Sequence, residues 1–140
     1  MRQNVEAIVE YFKSGIKDPG EPGRLGIELE HIVVGPHDKP VTYDEEHGVR
    51  WMLEQLADGY SGETLGDNGA LLGLMGGNKV ISLEPAAQFE LSAGPFDDAA
   101  EARDEFLAFQ RQITALIDPF DHRMLAVGYH PSAKADDVTA

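Results

Sequence analysis

Through residues 81–92, ISLEPAAQFELS, the even positions carry Ser82, Glu84, Gln88, Glu90 and Ser92, and Ile81, Leu83, Phe89 and Leu91 take odd ones. Side chains alternate faces along a strand, so this pattern predicts a polar, carboxylate-bearing face opposite an apolar one. Pro85 cannot donate to a ladder and breaks the run into two strands or a bulge. Residues 25–34, LGIELEHIVV, repeat the pattern, with Glu28 and Glu30 sharing one face and Ile27 and Leu29 the other.

Helical spacing appears three times. Val5, Ile8, Val9, Phe12 and Ile16 predict an amphipathic first helix with a core-facing stripe. Val49, Met52, Leu53 and Leu56 mark a second within residues 43–57, its N-terminus favoured by Asp44, Glu45 and Glu46. Trp51 either seals that helix against the sheet or lines a pocket; beside a helical stripe the first is the default. Phe106, Phe109, Ile113, Leu116 and Ile117 mark a third, opened by a capping-box-like Asp98 and Glu101 and stopped at Asp118-Pro119. Turn-rich segments at 18–23, 35–40, 59–69 and 92–95 separate the elements, and Gly76-Gly77-Asn78 predicts a hairpin between strands at 70–75 and 79–83. A last strand is expected over 123–130, ending in His130, followed by a polar, frayed tail over 132–140. The order predicts the α+β class: one domain over 1–140, an antiparallel β-sheet with helices on one face.

Composition narrows the function. A net charge of −14 and a pI near 4.5 argue against nucleic acid and against an anionic membrane face. The chain has no cysteine, which removes disulfides, thiolate metal sites and a cysteine nucleophile. The first fifteen residues lack a basic leader followed by a long apolar run, so the expected compartment is the cytoplasm. GLMGGN at 73–78 lacks the GK[ST] ending of a phosphate loop and runs into a strand.

Either glutamate-bearing stretch alone is accounted for by a half-exposed strand with polar residues in water. Their recurrence favours more, because charged residues are depleted in strands. Two carboxylates about 5 Å apart repel by roughly 3 kcal/mol at an effective dielectric near 20, and a shared divalent cation removes that penalty. Glutamates, an amide and hydroxyls are the oxygen donors a hard cation takes. His31 falls on the face opposite Glu28 and Glu30 and His37 in a turn, so both read as structural.

ISLEPAAQFELSAGP resembles the signature strand of the plant-type and bacterial glutamate–cysteine ligases, and LGIELEHIVV resembles their first-strand GxExE pattern. Pro40 to Tyr43, DNGALLGL at 67–74 and VGYHP at 127–131 follow in the family's order. The resemblance covers nearly all of this chain and about the first third of a family member. Ala86 and Ala87 stand where the family has a Gly pair.

The resemblance implies the glutamine-synthetase-like carboxylate–amine ligase fold, an antiparallel sheet forming a trough whose glutamates hold Mg²⁺ (or Mn²⁺) and ATP phosphates. It implies ATP-dependent joining of the γ-carboxylate of glutamate to the amine of cysteine, the first step of glutathione biosynthesis. Glu28, Glu30, Glu84 and Glu90 match metal positions, and Gln88 and Ser92 match residues lining the cofactor; no catalytic residue is assigned. The family's phosphate-gripping arginines lie beyond Ala140, so turnover is not expected of these residues by themselves. The alternatives are a ligase using another amine and a non-catalytic metal- or nucleotide-binding module. If the family's sheet continues beyond residue 140, its free edge is expected to pair with another copy.

Overall fold

The computed structural model describes residues 2–60 and 63–137. Its elements are α1 (Arg2–Ser14), β1 (Leu25–Val34), α2 (Val49–Leu56), β2 (Glu63–Asp67), β3 (Ala70–Gly76), β4 (Lys79–Glu84), β5 (Gln88–Phe96), α3 (Ala99–Ile117) and β6 (Arg123–Leu125). The strands form one antiparallel sheet in the order β2-β3-β4-β5-β1-β6. This is the α+β architecture expected from the sequence.

One face of the sheet makes the core. Ile81, Phe89 and Leu91 are fully buried there, against Val49, Met52, Leu53 and Leu56 of α2 and Phe109, Ile113 and Ile117 of α3. Asp98 starts α3, its Oδ1 accepting from the amides of Ala100 (2.7 Å) and Glu101 (3.0 Å), while Glu101 Oε2 accepts from the amide of Asp97 (3.0 Å). These bonds satisfy amides that the helix leaves without partners.

Four elements differ from the sequence reading. The helix expected from residue 43 begins at Val49, because residues 42–48 form a turn whose Thr42 and Tyr43 carbonyls accept from the amides of Val49 and Arg50, both at 3.1 Å. Gly48 permits the fold-back: a Cβ there would lie 2.5 Å from the Thr42 carbonyl oxygen. The segment 59–69 contains a strand, β2, and Asn68 (φ 49°) and Gly69 (φ 87°) turn it into β3 with the positive dihedrals that suit a two-residue hairpin. The strand expected over 123–130 ends at Leu125, where the amide of Val127 turns back to the Leu125 carbonyl (3.1 Å) and peels the chain off β1. α1 carries its apolar stripe outward: Val5, Ile8, Val9, Phe12 and Ile16 are all exposed. Periodicity shows that a stripe suits burial without saying what buries it.

Pro85 divides the signature stretch as expected, through a 3₁₀ turn Pro85–Ala87 between β4 and β5. Of the polar end, Ser132 Oγ donates to the Asp38 carbonyl (2.6 Å) and the amide of Lys134 to Asp137 Oδ2 (2.8 Å); residues 138–140 of the expected tail lie outside the described residues.

Candidate functional site

The strand register assembles the site. Glu30 on β1 pairs with Glu90 on β5, and Glu90 pairs with Ser82 on β4, so Glu30, Glu90 and Ser82 form a row across three strands. Glu28 pairs with Ser92, which pairs with Val80, in the next row; Gln88 pairs with Glu84 in the row on the other side. Directly cross-strand residues share a face, so these polar side chains all stand on the face opposite α2 and α3.

Glu28, Glu30 and Glu90 line one open depression of about 350 Å³, walled on its far side by Ala126, Val127 and Gly128 as the chain leaves β6. Gly128 passes directly over Glu30, a Cβ there coming 3.6 Å from Glu30 Oε2. Glu84 belongs to the same face by register, but its position at the end of β4 puts it in a separate hollow with Tyr43, Asp44, Leu72 and the 3₁₀ turn. Glu28 also borders a larger hollow of about 720 Å³ that runs past Ser92 and Val80 to the β3–β4 hairpin.

The two remaining candidates contact glutamates. Gln88 Nε2 donates to Glu30 Oε2 at 2.8 Å, and Ser92 Oγ donates to Glu90 Oε1 at 2.9 Å. Ser82, which the sequence placed on this face without a role, makes a longer 3.4 Å bond to the same Glu90 oxygen. Its parity with Glu84 and Glu90 was the available signal. The wall at 126–128 reads from sequence as strand, and its signal was the VGYHP match at 127–131.

Among the described residues, none of the four glutamates takes part in an ion pair. No three carboxylates or imidazoles among those residues already converge on a common point, so gripping one ion would require exposed glutamates to turn toward each other. The donor set nonetheless fits a hard divalent cation: it is all oxygen, carries at least three negative charges in one depression, and has no lysine or arginine lining that depression.

The histidines lie elsewhere. His31 is fully buried on the helix side between the rings of Phe106 and Phe109, with centroids at 5.7 and 5.2 Å. Its Nδ1 donates to the Leu29 carbonyl (3.0 Å) and Nε2 has no partner; burial lowers its pKa, opposed by the Leu29 bond. His37 sits in the turn after β1 with φ 60°. His130, expected at a strand end, is a turn cap whose Nδ1 accepts from the amides of Ser132 (3.2 Å) and Ala133 (2.9 Å). Trp51 is half-buried, packed edge-on to His47 and Phe120.

Known proteins resemble this chain over almost its whole length. The profile of Glutamate-cysteine ligase family 2 matches residues 24–140. Glutamate–cysteine ligase A, chloroplastic, of Oryza sativa subsp. japonica is 30% identical over 134 residues, which are 95% of this chain and 26% of that protein. The chloroplastic glutamate–cysteine ligases of Brassica juncea and Arabidopsis thaliana are 28% and 27% identical over 134 residues, 25% of each protein. The chain thus spans about a quarter of the length of these relatives. That these relatives are chloroplastic overturns the cytoplasmic expectation.

Proposed function

We propose, since the chain belongs to Glutamate-cysteine ligase family 2, that it forms the metal-holding part of the catalytic trough of an ATP-dependent ligase joining glutamate to cysteine. The observation that carries this reading is the open sheet face on which Glu28, Glu30 and Glu90 meet in one depression with no cationic partner lining it. Carboxylates gathered on one face repel one another, and a shared cation offsets that repulsion.

In the reaction, a γ-carboxylate oxygen of glutamate attacks the γ-phosphorus of ATP, and ADP leaves. The cysteine amine then attacks the acyl carbon, phosphate leaves, and the amine loses a proton as the amide forms. Such chemistry requires positioning and charge neutralisation more than a protein nucleophile. A divalent cation, when bound, supplies the neutralisation of phosphate charge. Glu28, Glu30 and Glu90 would hold it, while Glu84 stands in the neighbouring hollow at the end of β4. Gln88 and Ser92 contribute by fixing one oxygen each of Glu30 and Glu90, which leaves the other oxygen of each for the ligand side. The cations that grip phosphate and substrate carboxylates come from the part of the ligase this chain does not span.

Calorimetric titration with Mn²⁺ tests the assignment. The wild-type chain is expected to bind one or more Mn²⁺ with an affinity that falls at least about tenfold in Glu28→Gln and Glu90→Gln, the size of effect that removing a ligand or its support brings. Wild-type affinity in both variants would remove these residues from the site. A related ligase acting on another amine would share the metal result and differ in the amine it consumes.

A further inference from the structure

Gly128 stands on the wall of the depression that Glu28, Glu30 and Glu90 line, where the chain has left β6. The backbone does not call for glycine there: unlike Gly69, Gly77 and Gly94, the residue lies outside the left-handed region, and it is exposed. Packing does not call for it either. A Cβ would come 2.5 Å from a backbone oxygen at Gly48, 2.6 Å at Gly66 and 2.4 Å at Gly73, whereas one at Gly128 meets a single neighbour at 3.6 Å, an ordinary contact. That neighbour is Glu30 Oε2. Of the glycines whose surroundings are described, no other would set a Cβ against one of the candidate glutamates. The same oxygen accepts from Gln88 Nε2 at 2.8 Å, and because β1 lies between β5 and β6, Glu30 is held on the β5 side and left open on the Gly128 side.

We propose that Gly128 is a further functional residue of the cation site: its missing side chain reserves, beside Glu30 Oε2, the space taken up by water in the bound ion's own shell. The inference rests on the reading that Glu28, Glu30 and Glu90 hold a divalent cation. Three carboxylates binding through one oxygen each leave an octahedral ion incomplete, and an ion of the Mg²⁺ class dehydrates reluctantly, so waters fill the remaining places. Those waters need room on the far side of the depression, which the segment 126–128 bounds. A methyl group at 128 would lie in contact with Glu30 Oε2. It would put apolar surface where a water can bridge carboxylate and ion, and it would take a solvating partner from a charged oxygen. Glycine at this position therefore serves the hydration of the site, in a stretch of chain where the fold itself would accept a side chain.

Titration of the full chain with Mn²⁺ tests the proposal, read by calorimetry and by the relaxation rate of water protons, which reports the waters exchanging on bound Mn²⁺. Gly128→Ala is expected to lower Mn²⁺ affinity on the order of tenfold and to reduce the relaxation enhancement per bound ion, with a urea midpoint at or above that of the wild type. Val127→Ala, a change in the same wall that adds no group, is expected to keep the wild-type affinity and enhancement. Wild-type affinity or wild-type enhancement per ion in Gly128→Ala overturns the proposal, as does an equal loss in Val127→Ala. A loss of affinity accompanied by a lower midpoint assigns the glycine to the fold and overturns it too. Unchanged affinity in Gly128→Ala beside a fall in Glu28→Gln and Glu90→Gln overturns this inference alone, whereas a wild-type chain that binds no Mn²⁺ overturns the cation site with it.

Discussion

The 3₁₀ turn between β4 and β5 holds two consecutive alanines in the left-handed region, Ala86 at φ 67°, ψ 30° and Ala87 at φ 58°. For a residue with a Cβ this conformation costs about 1–2 kcal/mol. Glycine relieves that strain but loses about 0.5–1 kcal/mol more than alanine through its greater freedom in the unfolded chain. Ala86 is exposed, so Ala86→Gly removes no packing, and the expected net gain is about 0.5–1 kcal/mol. Ala87 is half-buried and packs against the core, so Ala87→Gly also loses a buried methyl worth about 0.8 kcal/mol and is expected to come out near zero. Urea unfolding followed by circular dichroism, with unchanged m, measures both; a 1 kcal/mol gain corresponds to a rise in Tm of roughly 3–5 °C at this size. If Ala86→Gly lowers the midpoint, or if the two substitutions gain equally, the account of a strained, unevenly packed turn is wrong. The turn matters to function because it sets Glu84 opposite Gln88, and with it the register that carries Glu90 to Glu30.

Asp98→Ala removes the cap of α3 and is expected to cost about 1 kcal/mol, read as a lower urea midpoint, with Asp98→Asn retaining most of the stability. His31, neutral in the fold because burial lowers its pKa, contributes stability that is complete above its ordinary value of about 6.5 and is lost as pH falls below it, by at most about 1.4 kcal/mol per pH unit. Urea midpoints between pH 7.5 and 5.5 should therefore fall more steeply for the wild type than for His31→Leu, and equal slopes would mean that His31 accepts a proton in the folded protein.

What could be read from the sequence depended on how strictly a local pattern constrains geometry. The two faces of β4, β5 and β1 were legible because alternation at period two admits one reading, and Ile81, Phe89 and Leu91 are buried where it put them. Asp98 was legible as a cap because the signal is local. β2 was missed although Asn68-Gly69 is a strong hairpin signal, since ETLGD offers little apolar alternation and stands in a glycine-rich run. The meeting of Glu28, Glu30 and Glu90 needed β5 to lie beside β1, and strand order is not encoded in either strand's own pattern. Glu84 shows the converse: its parity was right, yet the end of a strand followed by a 3₁₀ turn aims it at another hollow. For α1 the stripe was legible and its cover was not, because a helix face records only that burial is favourable.

The sheet couples fold and site through register more than through contact. β5 is hydrogen-bonded to both β4 and β1, so its alternation fixes both neighbours at once. A slip of one residue would turn Glu90 and Gln88 toward α3 and carry Phe89 and Leu91 to solvent. An unpaired buried carboxylate costs several kcal/mol and two lost core side chains cost about as much again, which together approach the whole stability of a domain. The apolar residues beneath the sheet therefore hold the glutamates in place without touching them. It follows that Glu28→Gln and Glu90→Gln, which change only the open face, leave the determinants of register intact. A loss of Mn²⁺ binding in those variants with an unchanged unfolding midpoint then reports on the site itself, whereas a loss accompanied by a lower midpoint would mean that the glutamates help to set the register they were thought only to exploit.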